Sequence, residues 1–177
     1  MGDVIICVGI SGSGKSTFSA NFIKENSSYL RINRDDIRTT LVGNLNGYYK
    51  RRDLNSIEIL VNQIEQSLAV KIINNAQRNL IIDNTNLKQS YIKKWMHEFD
   101  EIKDYSETDI KFKLFDCSLE EARGRVWYRE NMFANSPDDC GFMNFKELDY
   151  INKQYKDYQL IKEWLIKNYK DKIIDNG

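Results

Sequence analysis

The chain has 177 residues, 41% of them apolar and 29% charged, with 26 basic and 26 acidic side chains and a formal net charge of zero. That length suits one domain with a substantial core, and the composition is that of an ordinary soluble globular protein. Balanced charge gives no support to broad nucleic-acid binding and leaves room only for a local basic groove; no apolar run is long enough to span a membrane.

The cytoplasm is the expected compartment. The N-terminal apolar run leads straight into a glycine-rich loop, unlike a signal peptide, and Ile6 stands where myristoylation after Met1-Gly2 needs Ser or Thr. Cys7, Cys117 and Cys140 are too scattered for a disulfide framework or a zinc site. Cys7 and Cys117 lie in apolar runs and are expected to be buried free thiols.

In chain order, residues 3–9 read as a short, fully buried strand, and residues 15 to about 24 as a helix with Phe18 and Phe22 on one face. Residues 29–32 read as a weak second strand. Residues 43–54 read as an irregular connection, and the long helix after it takes Ile57, Leu60, Val61, Ile64, Leu68 and Ile72 as its apolar stripe. A buried strand over 79–83 and a helix over 89–99 follow; the latter holds His97, the only histidine, with no acid–base partner in sequence. The next strand lies within 109–116. Ser118-Leu119-Glu120-Glu121 has capping-box spacing and opens a helix. Residues 131–144 contain the only proline, Pro137, and read as a loop; from Phe145 a last helix carries Leu148, Ile151, Tyr155, Tyr158, Ile161 and Leu165. Alternating strands and helices predict an α/β fold. The expected architecture is a parallel sheet of about four or five strands with helices on both faces. All of it forms a single domain over 1–177, with a helical lid over about 118–144 and a C-terminal helix over about 145–170.

Residues 9–16, Gly9-Ile10-Ser11-Gly12-Ser13-Gly14-Lys15-Ser16, sit between a strand and a helix, the context a phosphate loop requires. Gly9, Gly12 and Gly14 admit backbone conformations closed to other residues, so successive N–H groups, including those of Ser11 and Ser13, can turn inward onto phosphate oxygens. The helix N-terminus adds its partial positive charge. Lys15 reaches the β- and γ-phosphates, Ser16 supplies a hydroxyl to Mg²⁺, and Thr17 is a second hydroxyl nearby. ATP with Mg²⁺ is therefore the expected cofactor pair. The loop leaves the acceptor open: water makes an NTPase, an alcohol or a phosphate makes a kinase.

After the second strand comes Ile32-Asn33-Arg34-Asp35-Asp36-Ile37-Arg38. A carboxylate can orient a hydroxyl and take its proton, and a cation can position an anionic acceptor. Asp35 or Asp36 and Arg38 fit these tasks; spacing does not choose between the two aspartates, and a capped helix start is an equal alternative. Asp83 ends a buried strand, so its carboxylate is expected at the C-terminal edge of the sheet, where open α/β sheets bind ligands. There it would hold a water on Mg²⁺ or order the acceptor pocket, with Thr85 and Asn86 beside it. Arg125 and Arg129, four apart on one helix face, suit a lid that neutralises a transferring phosphoryl group; Arg123 points elsewhere. Tyr48-Tyr49-Lys50-Arg51-Arg52 sets two aromatics beside three cations and could grip a single strand.

Residues 9–17, the Asn33-Arg34-Asp35-Asp36-Ile37-Arg38 element, Asp83-Asn84-Thr85-Asn86-Leu87 and the Arg125/Arg129 pair occur in the order found in the kinase domain of phage 5′-polynucleotide kinases, which this chain resembles over nearly its whole length. The resemblance implies transfer of the ATP γ-phosphate to the 5′-hydroxyl end of DNA or RNA. It assigns the general base to Asp35 rather than Asp36, and a contact with the acceptor phosphate to Arg38. It makes Arg129 the main lid arginine and Arg125 its helper. One departure stands out: phage enzymes carry an acidic residue immediately before Thr-Asn, where this chain has Asn84, and Asp-Asn-Thr-Asn is closer to the bifunctional animal end-repair kinases. Relatives often add a 3′-phosphatase or ligase domain, for which 177 residues leave no room; a separate phosphatase or ligase partner is the corresponding expectation. The resemblance also carries a tendency toward homo-oligomers and none toward membranes. Rival readings are a P-loop kinase for a small metabolite, nucleoside or sugar nucleotide, and a nucleotide-dependent switch or NTPase.

Overall fold

The computed structural model describes residues 2–43, 45, 51–74, 78–101, 109–132 and 148–174, with backbone alone at 130–132. Tyr48, Tyr49, Lys50, Pro137, Cys140, Phe145 and the distal part of the expected lid lie outside the described residues. Five parallel strands, β1 (Val4–Val8), β2 (Tyr29–Ile32), β3 (Asn79–Ile82), β4 (Ile110–Leu114) and β5 (Ile173–Ile174), lie in the order β2-β3-β1-β4-β5. β5 is absent from the sequence expectation, because two isoleucines after a helix carry no alternation to read. Every residue of β1 is buried, which explains its unbroken apolar run: a central parallel strand has no solvent face.

Side-chain alternation along β1 divides the core. Ile5 and Cys7 join Ile81 beneath helix α1 (Lys15–Glu25), whose Phe18 and Phe22 rings pack 5.4 Å apart. Val4, Ile6 and Val8 face the larger cluster, which α3 (Leu54–Asn74), α4 (Gln89–Asp100), α5 (Leu119–Met132) and α6 (Asp149–Tyr169) help to build. Cys7 is fully buried, and burial pushes its thiol up to about 12, against only a weak opposing bond from Ser19, so it stays a neutral core group. Cys117 is only partly buried.

The capped helix start weighed for residues 33–38 is present as α2 (Arg34–Val42): the Asn33 side chain caps it by accepting from the N–H groups of Asp35 and Asp36 (2.8 and 3.2 Å). One local expectation needs correction: the apolar stripe of α3 is rotated. Its buried line is Val61, Glu65, Ala69 and Ile73, whereas Leu60 and Leu68 remain 43% and 41% exposed. Ile57, Ile64 and Ile72 flank that line, partly buried. The cause is Glu65, which turns inward to accept from Asn84 and to face Arg34 at 3.9 Å. A periodicity argument assigns a glutamate to solvent and so misplaces the face. Ser118 does open α5, its hydroxyl accepting from the Glu121 N–H at 3.1 Å.

All strands point their C-terminal ends the same way, so the segments after β1, β2 and β3 meet along one edge. No helix among the described residues is long and apolar enough to cross a membrane.

The rotated α3 face makes a direct test. Val61→Ala is expected to destabilise the fold by about 2 kcal/mol, while Leu60→Ala, despite the larger truncation, stays within about 1 kcal/mol. Urea unfolding of both variants measures the difference; a larger loss for Leu60→Ala contradicts the assigned face.

Candidate active site

The loop between β1 and α1 wraps the C-terminal edge of the sheet. Gly12 and Gly14 take φ values of +81° and +97°. A Cβ on Gly12 would stand 2.5 Å from the Ala122 carbonyl oxygen, so the bare backbone is what lets α5 rest on the loop. Gly9 is similarly confined, its missing Cβ falling 2.7 Å from the Ser13 Oγ, and its N–H donates to the Thr85 carbonyl at 3.1 Å. Lys15 is buried, and its Nζ donates to the Ile10 carbonyl at 2.7 Å. Ser16 faces the cavity described below, while Thr17, also exposed, lies outside its lining. The Ser11 N–H donates to Gln154 Oε1 of α6 at 2.8 Å, a contact with no signal in local sequence.

Facing the loop is the start of α2. Asp35 and Asp36 diverge there. Asp36 accepts from Arg31 Nη1 at 2.6 Å, and Asp35 lines the cavity and accepts from Arg38 Nη1 at 2.6 Å. Glu58 of α3 receives Arg38 through Nε and Nη2 (2.7 and 3.0 Å) and Arg34 through Nη2 (2.7 Å). Glu58 thereby fixes the guanidinium that in turn holds Asp35. It was not among the expected site residues: its partners are 20 and 24 positions away, and on a helix it reads as a solvated charge.

Asp83 follows β3 directly and is 1% exposed. Its Oδ2 accepts from Arg31 Nε at 2.8 Å, and its backbone carbonyl accepts from Asn33 Nδ2 at 2.6 Å. Its Oδ1 is buried without a hydrogen-bond partner among the described residues. Asn84 bonds Glu65 on one side and the Arg34 N–H (3.0 Å) on the other. Asn86, at φ +48°, donates from Nδ2 to the Cys7 carbonyl at 2.8 Å and so ties this turn to β1. Thr85 and Asn86 both line the cavity.

The two arginines expected to serve a lid separate. Arg129 lines the cavity. Arg125 is salt-bridged to Glu121 and donates to the Gly12 carbonyl at 3.2 Å, bracing α5 against the loop. Arg123 turns away toward Asn152 (2.9 Å). Arg51 forms a two-pronged pair with Asp53 ahead of α3 (2.9 and 2.8 Å). His97 is exposed on α4.

These groups surround one cavity of about 550 Å³, with Lys15 and Ser16 of the loop on one wall and Asp35 and Arg38 on another. Burial, the largest influence on Lys15, lowers its pKa to about 8 and outweighs the attraction of Asp83. The residues present fit a nucleotide with Mg²⁺. The loop leaves no room for a Cβ at Gly9 or Gly12, the Ser16 hydroxyl is accessible, and the orphaned Asp83 Oδ1 is an acceptor suited to a water of a hydrated cation.

The sequence model of the AAA domain family matches residues 4–146. This chain belongs to that family. A protein of Autographa californica nuclear polyhedrosis virus named a bifunctional polynucleotide kinase/RNA ligase is 31% identical over 166 residues, covering 88% of this chain and 20% of its own. A chain of the Pnkp1/Rnl/Hen1 RNA repair complex superposes with a TM-score of 0.70 at 27% identity, over 92% of this chain and 45% of that one. A chain of the PezAT chromosomal toxin–antitoxin system of Streptococcus pneumoniae shares the fold alone, with a TM-score of 0.60 at 18% identity over 92% of this chain and 65% of that one. This chain thus spans a fifth of the viral relative and under half of the repair-complex chain. Its AAA domain is a P-loop kinase fold.

Two outcomes follow from the electrostatics of this AAA-domain site. Arg31→Met strands a fully buried carboxylate and is expected to lower stability by about 3 kcal/mol in urea unfolding; a loss under about 1 kcal/mol contradicts the ion pair's role. For Lys15, the folded pKa of about 8 lies below the ordinary lysine value of 10.5. Its contribution to stability therefore rises as pH climbs from 8 toward 10.5, because the unfolded chain then binds the extra proton. A nucleotide triphosphate needs the charged amine, so its affinity is flat below pH 8 and falls above it, at most roughly tenfold per pH unit. Titration calorimetry from pH 7 to 9.5 checks this, with Lys15→Met, which has no amine to titrate, expected to bind weakly and without that slope.

Proposed function

We propose that the chain is an ATP-dependent polynucleotide 5′-hydroxyl kinase, moving the γ-phosphate of ATP to the 5′-OH end of DNA or RNA. The observation that carries this reading is the shared cavity: a phosphate-binding loop faces a carboxylate–guanidinium pair, Asp35 and Arg38, across a gap open to an alcohol. The relatives named for polynucleotide kinase and RNA repair support the acceptor class.

In the proposed reaction Asp35 accepts a hydrogen bond from the 5′-hydroxyl, orients its oxygen toward the γ-phosphorus and takes its proton as the new P–O bond forms and the bond to ADP breaks. Arg38, held on its far side by Glu58, contacts the phosphate that follows the reacting nucleoside. Lys15 exchanges the Ile10 carbonyl for phosphate oxygens, and the amides of residues 9–14 and the α1 N-terminus bind the rest of the triphosphate. Arg129 adds charge to the equatorial oxygens, with Arg125 keeping α5 seated on the loop. Mg²⁺, bound through Ser16 and, by way of water, Asp83, would offset the negative charge that builds between the β- and γ-phosphates.

End labelling with γ-labelled ATP tests the reading, using 5′-hydroxyl DNA and RNA oligonucleotides, nucleoside 3′-monophosphates and free nucleosides as acceptors. Transfer to oligonucleotide ends and not to free nucleosides is expected. Lys15→Ala abolishes it, and Asp35→Ala lowers it by about 10²–10⁴-fold while nucleotide binding persists. Preferential transfer to free nucleosides would mean a small-molecule kinase. Hydrolysis that no acceptor redirects, and that Arg38→Ala leaves intact, would mean an NTPase.

A further inference from the structure

The cavity does not stop at the reacting groups. Beyond Asp35 and Arg38 it runs along one face of α3 (Glu58, Asn62 and Glu65) and onto one face of α4, where Tyr91, Lys94 and Trp95 line it. The α4 residues have helical spacing of three and four, so they present one continuous surface. Tyr91 is 43% exposed, with Lys88 Nζ lying 5.5 Å from its ring centroid, and Trp95 is nearly buried at the cavity wall.

We infer that this face of α4 is the track for the acceptor strand, holding the nucleotides that follow the 5′ end by stacking on Tyr91 and by charge from Lys94. The inference rests on the acceptor reading proposed above and adds a second subsite to it. An exposed aromatic ring beside a cation on an open groove is the chemistry that holds unpaired bases and their phosphates without reading sequence. The acidic groups on the α3 wall do not oppose it. Glu58 is neutralised by Arg34 and Arg38, and Glu65 is buried, bonded to Asn84 and faced by Arg34. The ligand class is single-stranded nucleic acid, since stacking on Tyr91 needs a base free of its own duplex neighbours.

The test compares a single-stranded tetranucleotide with a nucleoside 3′-monophosphate as 5′-hydroxyl acceptors. In Tyr91→Ala the ratio of kcat/KM for the longer acceptor to that for the shorter should fall about tenfold, the worth of one base stack, and Tyr91→Trp should restore it. Lys94→Ala should reduce the slope of log Kd against log salt for the strand by about one. Equal effects on both acceptors, or none, overturn the inference. A labelled single strand already bearing a 5′-phosphate, followed by fluorescence anisotropy, separates this from the reaction itself. If wild-type protein transfers phosphate to neither acceptor, the kinase reading fails, yet strand binding that Tyr91→Ala weakens still supports the α4 track. Strand binding indifferent to both substitutions rejects it.

Discussion

The buried Asp83 carboxylate is the constraint around which this site is organised. A charge 1% exposed at the end of a central strand has to be compensated, and Arg31 of β2 compensates it at 2.8 Å. The same aspartate receives Asn33 on its backbone carbonyl and, from across the sheet edge, offsets part of the lowering that burial imposes on the Lys15 pKa. One carboxyl group therefore links the ends of β1, β2 and β3, and with them the phosphate loop, the start of α2 and the cavity floor. Its second oxygen is buried without a hydrogen-bond donor among the described residues.

A second tier of charges works outward from it. Arg31 divides itself between Asp83 and Asp36, which draws Asp36 away from the cavity and leaves Asp35 facing in. Glu58 then holds Arg34 and Arg38 together on the α3 side. Each cation thus has a fixed direction, and the alternation of neighbouring aspartates on α2 becomes a division of labour. The packing of α3 follows from the same network, because Glu65 turns inward to Asn84 and Arg34 and takes the helix face with it.

The C-terminal helices act on the loop from the other side. The Gly12 backbone accepts both the close approach of α5 and the Arg125 guanidinium, and α6 reaches the Ser11 amide through Gln154. The loop that would hold phosphates is therefore clamped by elements more than a hundred residues away in sequence. Groove and clamp belong to one P-loop kinase fold, whose cavity continues along α3 to Tyr91, Lys94 and Trp95 of α4.

Much of this was legible in the residues. The phosphate loop announced itself because glycine, lysine and serine act through local backbone geometry. The central strands announced themselves because burial on both faces enforces unbroken apolar runs, and the position of Asp83 followed from where such a strand ends. What neighbouring residues could not disclose were the long-range polar pairs. That Asp35 and not Asp36 lines the cavity rests on Arg31; the anchoring of Arg38 rests on Glu58; the inward turn of α3 rests on a glutamate that any periodicity argument assigns to solvent. Those decisions belong to the tertiary structure because hydrogen bonds and ion pairs act over a few ångströms in space, and only the folded sheet edge brings residues 31, 58, 65 and 83 within that reach.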